Sequence, residues 1–475
     1  MTKFIGRKEE LKGLRSLLKK KSASFVVIKG RRRIGKTRLA EEFGKEFSKQ
    51  YIFAGLAPSQ ASTSEEQKKE FLRQMKRQGI RSLGDDDWGN LFDDVADTCK
   101  RGKIIVVLDE ISWMAHGDKT FLAKLKNAWD LGFKKNSHLV LVISGSNSTW
   151  IEKNILNDTG FVGRISHRLT LEELAMNECD EFWGNYSDSV SAFDKLKILS
   201  VTGGVPRYLE EVDGGVSAEN NIKRLCFKKE GLLFHEFEDI FSDSLSKKSE
   251  YYKVIVEYLA EQKATLGEIG DVIGRERPGG DVVGYLKDLC NVGFVTRDYT
   301  WDLEKGKVSQ TSLFRLSDNY LRFYLKYIVP NKEKVEGETM RSLPLGWDSI
   351  MGLQFENLVL SKNNRLKIYE ILDIPPDSVM QANPFLQTQT TRRKKCQVDF
   401  LVQTKDGSLY VCEIKFKKNP LGGEVIKEVK EKIARLKRPK HMSCRPVLIH
   451  VNGVKDSVEN SDYFVKIIDF GEFLR

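Results

Sequence analysis

The sequence predicts an α/β fold that opens on a parallel sheet and continues into helical and further α/β parts. Three observations carry this expectation. Over residues 1–170, short apolar segments alternate with amphipathic helical stretches. Those segments are apolar along their whole length rather than at alternate positions, as strands covered on both faces are. The first runs straight into a glycine-rich loop that a helical stretch follows.

In chain order, the strand candidates are SFVVIKG (Ser24–Gly30), YIFAGL (Tyr51–Leu56), KIIVVLDE (Lys103–Glu110) and HLVLVISGS (His138–Ser146). Residues 171–244 read as mostly helical, a lid beside the 1–170 core. Residues 245–328 give three helices (YYKVIVEYLAEQ, TLGEIGDVIG, GGDVVGYLKDLCNVG) and then two short strands, which spells a winged helix-turn-helix. VPNKEKVEGETMRSLP (329–344) is charged and lacks apolar periodicity, so it reads as a linker. Residues 345–475 begin with a helix and continue as strands around a hairpin.

GRRRIGKT (Gly30–Thr37) fits the phosphate-loop pattern G-x-x-x-x-G-K-[ST]. Gly30 and Gly35 let the backbone wrap a phosphate, and the helix behind adds its N-terminal dipole. Lys36 is placed to reach the β- and γ-phosphates, and Thr37 to offer a hydroxyl to Mg²⁺. Ile34 inside the loop and Arg38 just after it complete the expected ATP cradle. Asp109 closes an apolar strand, where it can hold Mg²⁺ through water, and Glu110 beside it can polarise the attacking water. Ser146 and Asn147, at the tip of another strand, either position the γ-phosphate or water, or cap the next helix.

FIGRKEEL, GRRRIGKT, VVLDE and SGSN together resemble the archaeal-type ATPases of the STAND branch of AAA+-related P-loop NTPases. The resemblance covers about the first two-thirds of the chain. It implies that Gly6–Arg7 sits near the adenine and hinge, and that Pro206, in GGVPRYL, packs on the adenine. It also implies that Arg164, in GFVGRISHR, contacts phosphate in cis or from a neighbour; a surface salt bridge is the alternative for Arg164 and Arg168. Arg31–Arg33 are usual in such loops, and their charge is expected on nucleotide or a neighbouring domain.

The presumptive recognition helix of the winged module, DVVGYLKDL, carries Lys287 as its only basic residue, along with Asp281 and Asp288. A helix that reads base edges presents Arg, Lys, Asn or Gln. A structural or regulatory role is therefore expected over sequence-specific DNA binding.

VDFLVQTKDGSLYVCEIKF (Val398–Phe416) reads as a hairpin with charges at its open end. A three-residue loop Lys405-Asp406-Gly407, with Gly407 left-handed, pairs Thr404 with Ser408 and puts Asp399 opposite Glu413. A two-residue Asp-Gly turn would instead send Glu413 to the other face. In the first register Val398, Phe400, Val402, Tyr410, Cys412 and Ile414 share one face. Asp399, Leu401, Val411, Glu413 and Lys415 share the other. Two acids opposed on a part-buried face need a cation, which Lys415 or a metal ion would supply.

This D-x(n)-E-x-K arrangement resembles the PD-(D/E)xK nuclease superfamily, and implies a restriction-endonuclease-like C-terminal domain. The resemblance assigns Glu356, Asp399 and Glu413 to divalent metal and Lys415 to the attacking water. Trp347, Met351, Phe355 and Leu358 form the buried stripe of the helix that carries Glu356. The start departs from the usual pattern, with Val398-Asp399 in place of Pro-Asp. TRRKKC (391–396) and KFKKN (415–419) are expected to hold backbone phosphates.

The net charge of +11 is compatible with a polyanionic partner and equally with a lysine-rich proteome. No apolar run is long enough for a bilayer, and MTKFIGRKEE lacks the apolar core of an export signal. The seven cysteines are scattered singly, which suits a reducing cytoplasm. Together these features predict a cytoplasmic ATP- and Mg²⁺-dependent ATPase with DNA as partner at the C-terminal domain. In one reading the nucleotide state gates a metal-dependent nuclease. In the other, a regulatory or signalling ATPase carries a catalytically inactive C-terminal domain that binds nucleic acid or protein. A third reading is a DNA-binding regulator.

Overall fold

The structure is a computed structural model. It describes residues 3–57, 63–82, 87–243, 249–274, 280–389, 391 and 394–475, and falls into two compact units. The first comprises 1–173 and 239–247, the second 174–238 and 248–475.

In the first unit, β1 (Ser24–Lys29), β2 (Lys49–Ala54), β3 (Ile104–Asp109), β4 (Leu139–Gly145) and β5 (Ile165–Thr170) form a parallel sheet ordered β2-β3-β4-β1-β5. Alternate residues feed two separate cores. Phe25, Val27, Val106 and Leu108 pack on one face, and Val26, Ile28, Ile105 and Val107 on the other. This two-sided burial is why the strands read as continuous apolar runs. β5 was not foreseen. It is an edge strand whose ISHRLT sequence stays partly exposed, so no apolar run announces it.

The second unit holds two sheets. β6 (Ala264–Thr265), β7 (Val295–Trp301) and β8 (Val308–Leu316) form an antiparallel sheet ordered β6-β8-β7, with helices Ser249–Glu261, Leu266–Val272 and Gly280–Asn291 around it. β9 (Val379–Gln387), β10 (Cys396–Thr404), β11 (Ser408–Lys415), β12 (Ser443–His450) and β13 (Lys466–Asp469) form a mixed sheet ordered β13-β12-β11-β10-β9. β9 to β11 run antiparallel, and β12 and β13 continue parallel to β11.

Three expectations change here. The described residues of 171–243 are mostly helical, but most of them do not form a body of their own. Leu174, Met176, Trp183, Leu196 and Leu199 share one apolar core with Phe355, Phe400, Cys412, Val447 and Phe470. The segment 329–344 contains a short helix, Lys332–Glu336, held by buried Val335. Trp347 lies in the turns before helix Met351–Val359, whose buried residues are Met351, Gln354, Phe355, Leu358 and Val359. Among the described residues no helix is long and apolar enough to cross a membrane.

Candidate functional site

The phosphate loop leaves β1 and enters helix Lys36–Gly44, which buries Leu39, Ala40 and Phe43 against β1 and β3 residues. Gly30 is required by a close approach, since a Cβ there would lie 2.6 Å from the Leu171 carbonyl oxygen. Gly35 adopts φ 90° as the residue before the helix. Lys36 is buried, and its Nζ donates to the Gly30 and Arg31 carbonyl oxygens at 3.0 Å each. Burial lowers its pKa, opposed by Glu110 and Asp109.

Because β4 lies between β1 and β3, its C-terminal end meets the acids at the end of β3. Thr37 Oγ1 donates to Asp109 Oδ2 at 2.6 Å, and Ser144 Oγ donates to Asp109 Oδ1 at 2.5 Å. Glu110 Oε2 accepts from Ser146 N–H and from Ser146 Oγ, both at 2.9 Å. Its other oxygen stands 3.9 Å from Lys36 Nζ. Burial raises the Glu110 carboxyl above the usual carboxylate range, and Lys36 partly offsets this. Asn147 caps helix Ser148–Ile151 by accepting from Trp150 N–H at 2.9 Å, so of the pair only Ser146 faces the acids. Ser144 was missed, although a serine inside a wholly apolar central strand is a legible signal.

Arg7, Arg31, Arg33, Arg38 and Arg164 have partners within the protein. Arg7 is 3% exposed and donates to the Ile34 carbonyl oxygen at 2.9 Å and the Glu172 carbonyl oxygen at 2.6 Å. It thereby ties the N-terminal turn to the phosphate loop. Arg31 pairs with Glu173 at 3.4 Å, and Arg33 with Asp239 at 3.2 Å. Arg38 donates to the Lys3 carbonyl oxygen at 3.4 Å. Arg164 grips both oxygens of Asp130, the salt-bridge alternative, rather than projecting free toward a phosphate. Arg168 is exposed. Pro206 opens helix Pro206–Leu209 in the second unit.

In the second unit the hairpin takes the three-residue loop. Leu401 pairs with Val411 and Gln403 with Leu409, the register that sets Asp399 across from Glu413. Gly407 has φ 84° and its N–H donates to the Thr404 carbonyl oxygen at 3.1 Å. Val398 is on the other face from that expected. A bulge against β9 between Val398 and Leu401 flips it to pack with Leu401 and Val411.

The acid pair is brought together, but with lysines. Lys415 Nζ lies 3.0 Å from Glu413 and 2.6 Å from Glu428. Lys432, on helix Glu424–Arg435, bridges Glu413 at 2.5 Å and Asp399 at 3.4 Å. Asp399 also accepts from Ile414 N–H at 3.0 Å. Burial raises the Glu413 pKa, and Asp399 raises it further, against the pull of Lys432. For Lys415, burial opposes the charge, but Glu428 and Glu413 outweigh it and raise its pKa. Glu356 is half-buried and its carboxyl is raised, first by burial and then by Asp399. Among the described residues no three His, Cys, Asp or Glu side chains gather around a point that could hold a metal ion. Of the expected Glu356–Asp399–Glu413 set, Asp399 neighbours both other acids, and Lys432 lies between Asp399 and Glu413. Lys432 was missed, yet it continues the buried stripe Val425 and Val429 at helical spacing.

Of the basic flanks, Lys394, Lys395, Lys417 and Lys418 are exposed, whereas Arg392 and Arg393 lie outside the described residues. On helix Gly280–Asn291, Lys287 is exposed and Asp288 accepts from Tyr252 Oη at 2.6 Å.

Residues 4–212 match the family described as an ATPase domain predominantly from Archaea. An uncharacterized protein of Methanocaldococcus jannaschii is 26% identical over 379 residues, covering 76% of this chain and 79% of that protein. The Walker-type ATPase of Pyrococcus abyssi resembles this chain with a TM-score of 0.50 at 20% identity, over 68% of this chain and 96% of that one. That likeness is one of fold. The ORC2 protein of Aeropyrum pernix, solved in ADPNP–ADP complexes, matches with a TM-score of 0.42 at 16% identity over 71% of this chain and 97% of that one.

Proposed function

We propose that this chain is a nucleotide-driven switch that binds and hydrolyses ATP in its first unit, and whose nucleotide state controls how its second unit engages nucleic acid. The observation that carries the ATPase half is the contact of Thr37 with Asp109, flanked by Lys36 and Glu110. In this reading the backbone from Gly30 to Arg38, including Ile34, cradles the phosphates. Lys36 exchanges the two loop carbonyls it now contacts for phosphate oxygens. The oxygen donors Thr37 and Asp109 fit Mg²⁺, which when bound neutralises charge on the β- and γ-phosphates. Glu110, oriented by Ser146, accepts a proton from the attacking water; its raised pKa strengthens it as a base. Arg7 holds the loop in place from behind, and Pro206 is the proposed adenine contact.

The second unit supports a binding rather than a cutting role. Asp399 and Glu413 are already neutralised by Lys432 and Lys415, so the pair does not fit a divalent ion as it stands. In this reading the module at 245–328 is a winged helix of structural or regulatory use. A second reading, a metal-dependent nuclease of the PD-(D/E)xK kind, is favoured by one observation: the hairpin register faces Asp399 with Glu413 and keeps Lys415 beside them. The deciding experiment is cleavage of linear, branched and single-stranded DNA with Mg²⁺ or Mn²⁺, by the full chain with and without ATP. ATP hydrolysis without cleavage is the expected result. Cleavage lost in both Asp399→Ala and Lys415→Ala would establish the nuclease reading instead.

A further inference from the structure

The hairpin β7–β8 does not stand free as the wing of an isolated helix-turn-helix module would. Trp301 and Leu303 are buried among Phe385, Val398, Leu401 and Leu436 in a core shared with the mixed sheet. Trp301 Nε1 donates to Gln403 Oε1 at 2.5 Å, and Gln403 Nε2 donates to the Leu303 carbonyl oxygen at 2.9 Å. Gln381 Nε2 donates to the Gly306 carbonyl oxygen at 3.1 Å. Gln403 is 1% exposed, so its amide is committed to this junction. The hairpin tip is therefore fixed to β9 and β10.

Between that tip and the loop after helix Glu424–Arg435 lies an open groove of about 760 Å³. One wall brings Lys305 and Lys307, and the other Lys437, Arg438, Lys440 and His441. The four lysines are exposed, and none forms an ion pair among the described residues. Both walls are built before any ligand arrives. Asp302 Oδ1 accepts from the N–H groups of Glu304 and Lys305 at 2.9 Å each, which sets the tip. Arg438 Nε donates to the Met442 carbonyl oxygen at 3.3 Å, which closes the opposite loop over buried Leu436 and Met442. Asp302 and Glu304 are the acids of the groove, outnumbered by the lysines and Arg438. Like charges held this close repel one another until an anion with several charges lies between them.

We infer that this groove is a nucleic-acid backbone site that the two modules form jointly, and that the fused hairpin, not helix Gly280–Asn291, is the element that meets DNA. The inference rests on the reading that the second unit acts on nucleic acid. Two features select a phosphate backbone over an acidic protein. The two large aromatic side chains at the groove, Trp301 and Phe385, are 3% and 5% exposed, so neither offers an anchoring side chain, and His441 is the exposed ring there. Four lysines and Arg438 face the groove against one exposed apolar side chain, Val308, a balance that suits phosphates, whose contacts carry no sequence preference.

The test is fluorescence anisotropy with a fluorescein-labelled mixed-sequence duplex, measured over a salt series with the full chain. The variant Lys305→Ala/Lys307→Ala/Lys437→Ala/Lys440→Ala is expected to bind roughly 100- to 1000-fold more weakly near physiological salt, with a salt slope shallower by about 3 to 4. Arginine at the same four positions is expected to restore binding, and Lys287→Ala to leave it unchanged. An unchanged thermal melt and circular dichroism spectrum show that the alanine variant is folded. A wild-type protein that binds no duplex at low salt overturns the nucleic-acid reading itself. A wild type that binds, with an alanine variant that binds equally well, overturns the groove alone. Polyglutamate bound as tightly as the duplex, and lost in the same variant, makes the site one for acidic chains and overturns its assignment to nucleic acid.

Discussion

The ammonium of Lys432 lies 2.5 Å from a carboxylate oxygen of Glu413, a side chain only 2% exposed, and 3.4 Å from Asp399 on the neighbouring strand. One lysine thus bridges the acid pair that the hairpin register creates, and Lys415 pairs with Glu413 beside it. Lys432→Met removes the bridging cation and leaves Asp399 facing Glu413, with Lys415 alone beside Glu413. The expected loss is about 3 kcal/mol, the lower end for a broken buried pair because Lys432 is a quarter exposed. The loss should also depend on pH. Glu413 has its pKa raised in the fold, so the folded state binds more protons than the unfolded chain, and stability falls as pH rises through that range. Removing Lys432 raises the pKa further and steepens the fall. Thermal melts of wild type and variant between about pH 5 and 8 check the sign; Glu413→Gln in the same background should recover most of the loss.

Lys36→Met should weaken ATP binding by about 1.5–3 kcal/mol, or roughly 10- to 150-fold, since a charged donor to phosphate is lost. The apo protein should not be destabilised in proportion. Burial already penalises the Lys36 ammonium, as its lowered pKa shows, and methionine avoids that cost. Titration calorimetry and apo melting temperatures separate the two effects.

Glu110→Gln should lower ATP turnover by about 10²- to 10⁴-fold while leaving nucleotide binding in place. The base works only when ionised, so the wild-type rate falls as pH drops through the Glu110 pKa. Burial has raised that pKa, so the acid limb should lie above the ordinary carboxylate range. A pH–rate profile in which the glutamine variant keeps the same acid limb would remove Glu110 from the role.

Gly407→Ala tests the hairpin loop. A Cβ there meets nothing closer than 3.9 Å, so only the left-handed backbone is at stake. The expected cost is about 1 kcal/mol, measured by denaturant unfolding.

Much of the first site is legible locally. The loop Gly30–Thr37, its strand and its helix are contiguous, so one pattern names the phosphate cradle. Asp109 and Glu110 end a strand whose apolar run is equally plain. Loop length alone gave the Asp399–Glu413 register, because strand geometry propagates it outward from the turn. What stayed hidden depended on neighbours distant in sequence. The bulge that turns Val398 over arises from pairing with β9. The partner of Arg164 is Asp130, which no local pattern names.

The sequence by itself therefore determined the phosphate loop, its acids, the parallel sheet and the turn that opposes two carboxylates. These follow from backbone conformation and periodicity over a few consecutive residues. Only the tertiary structure decided what lies between those carboxylates and where the hairpin β7–β8 ends up. Whether a buried acid pair meets a lysine or an open space depends on how a separate helix docks. Whether the hairpin β7–β8 is free depends on Gln403 reaching Trp301, about a hundred positions away. Both are outcomes of packing, in which desolvated polar groups must find partners wherever the chain can supply them.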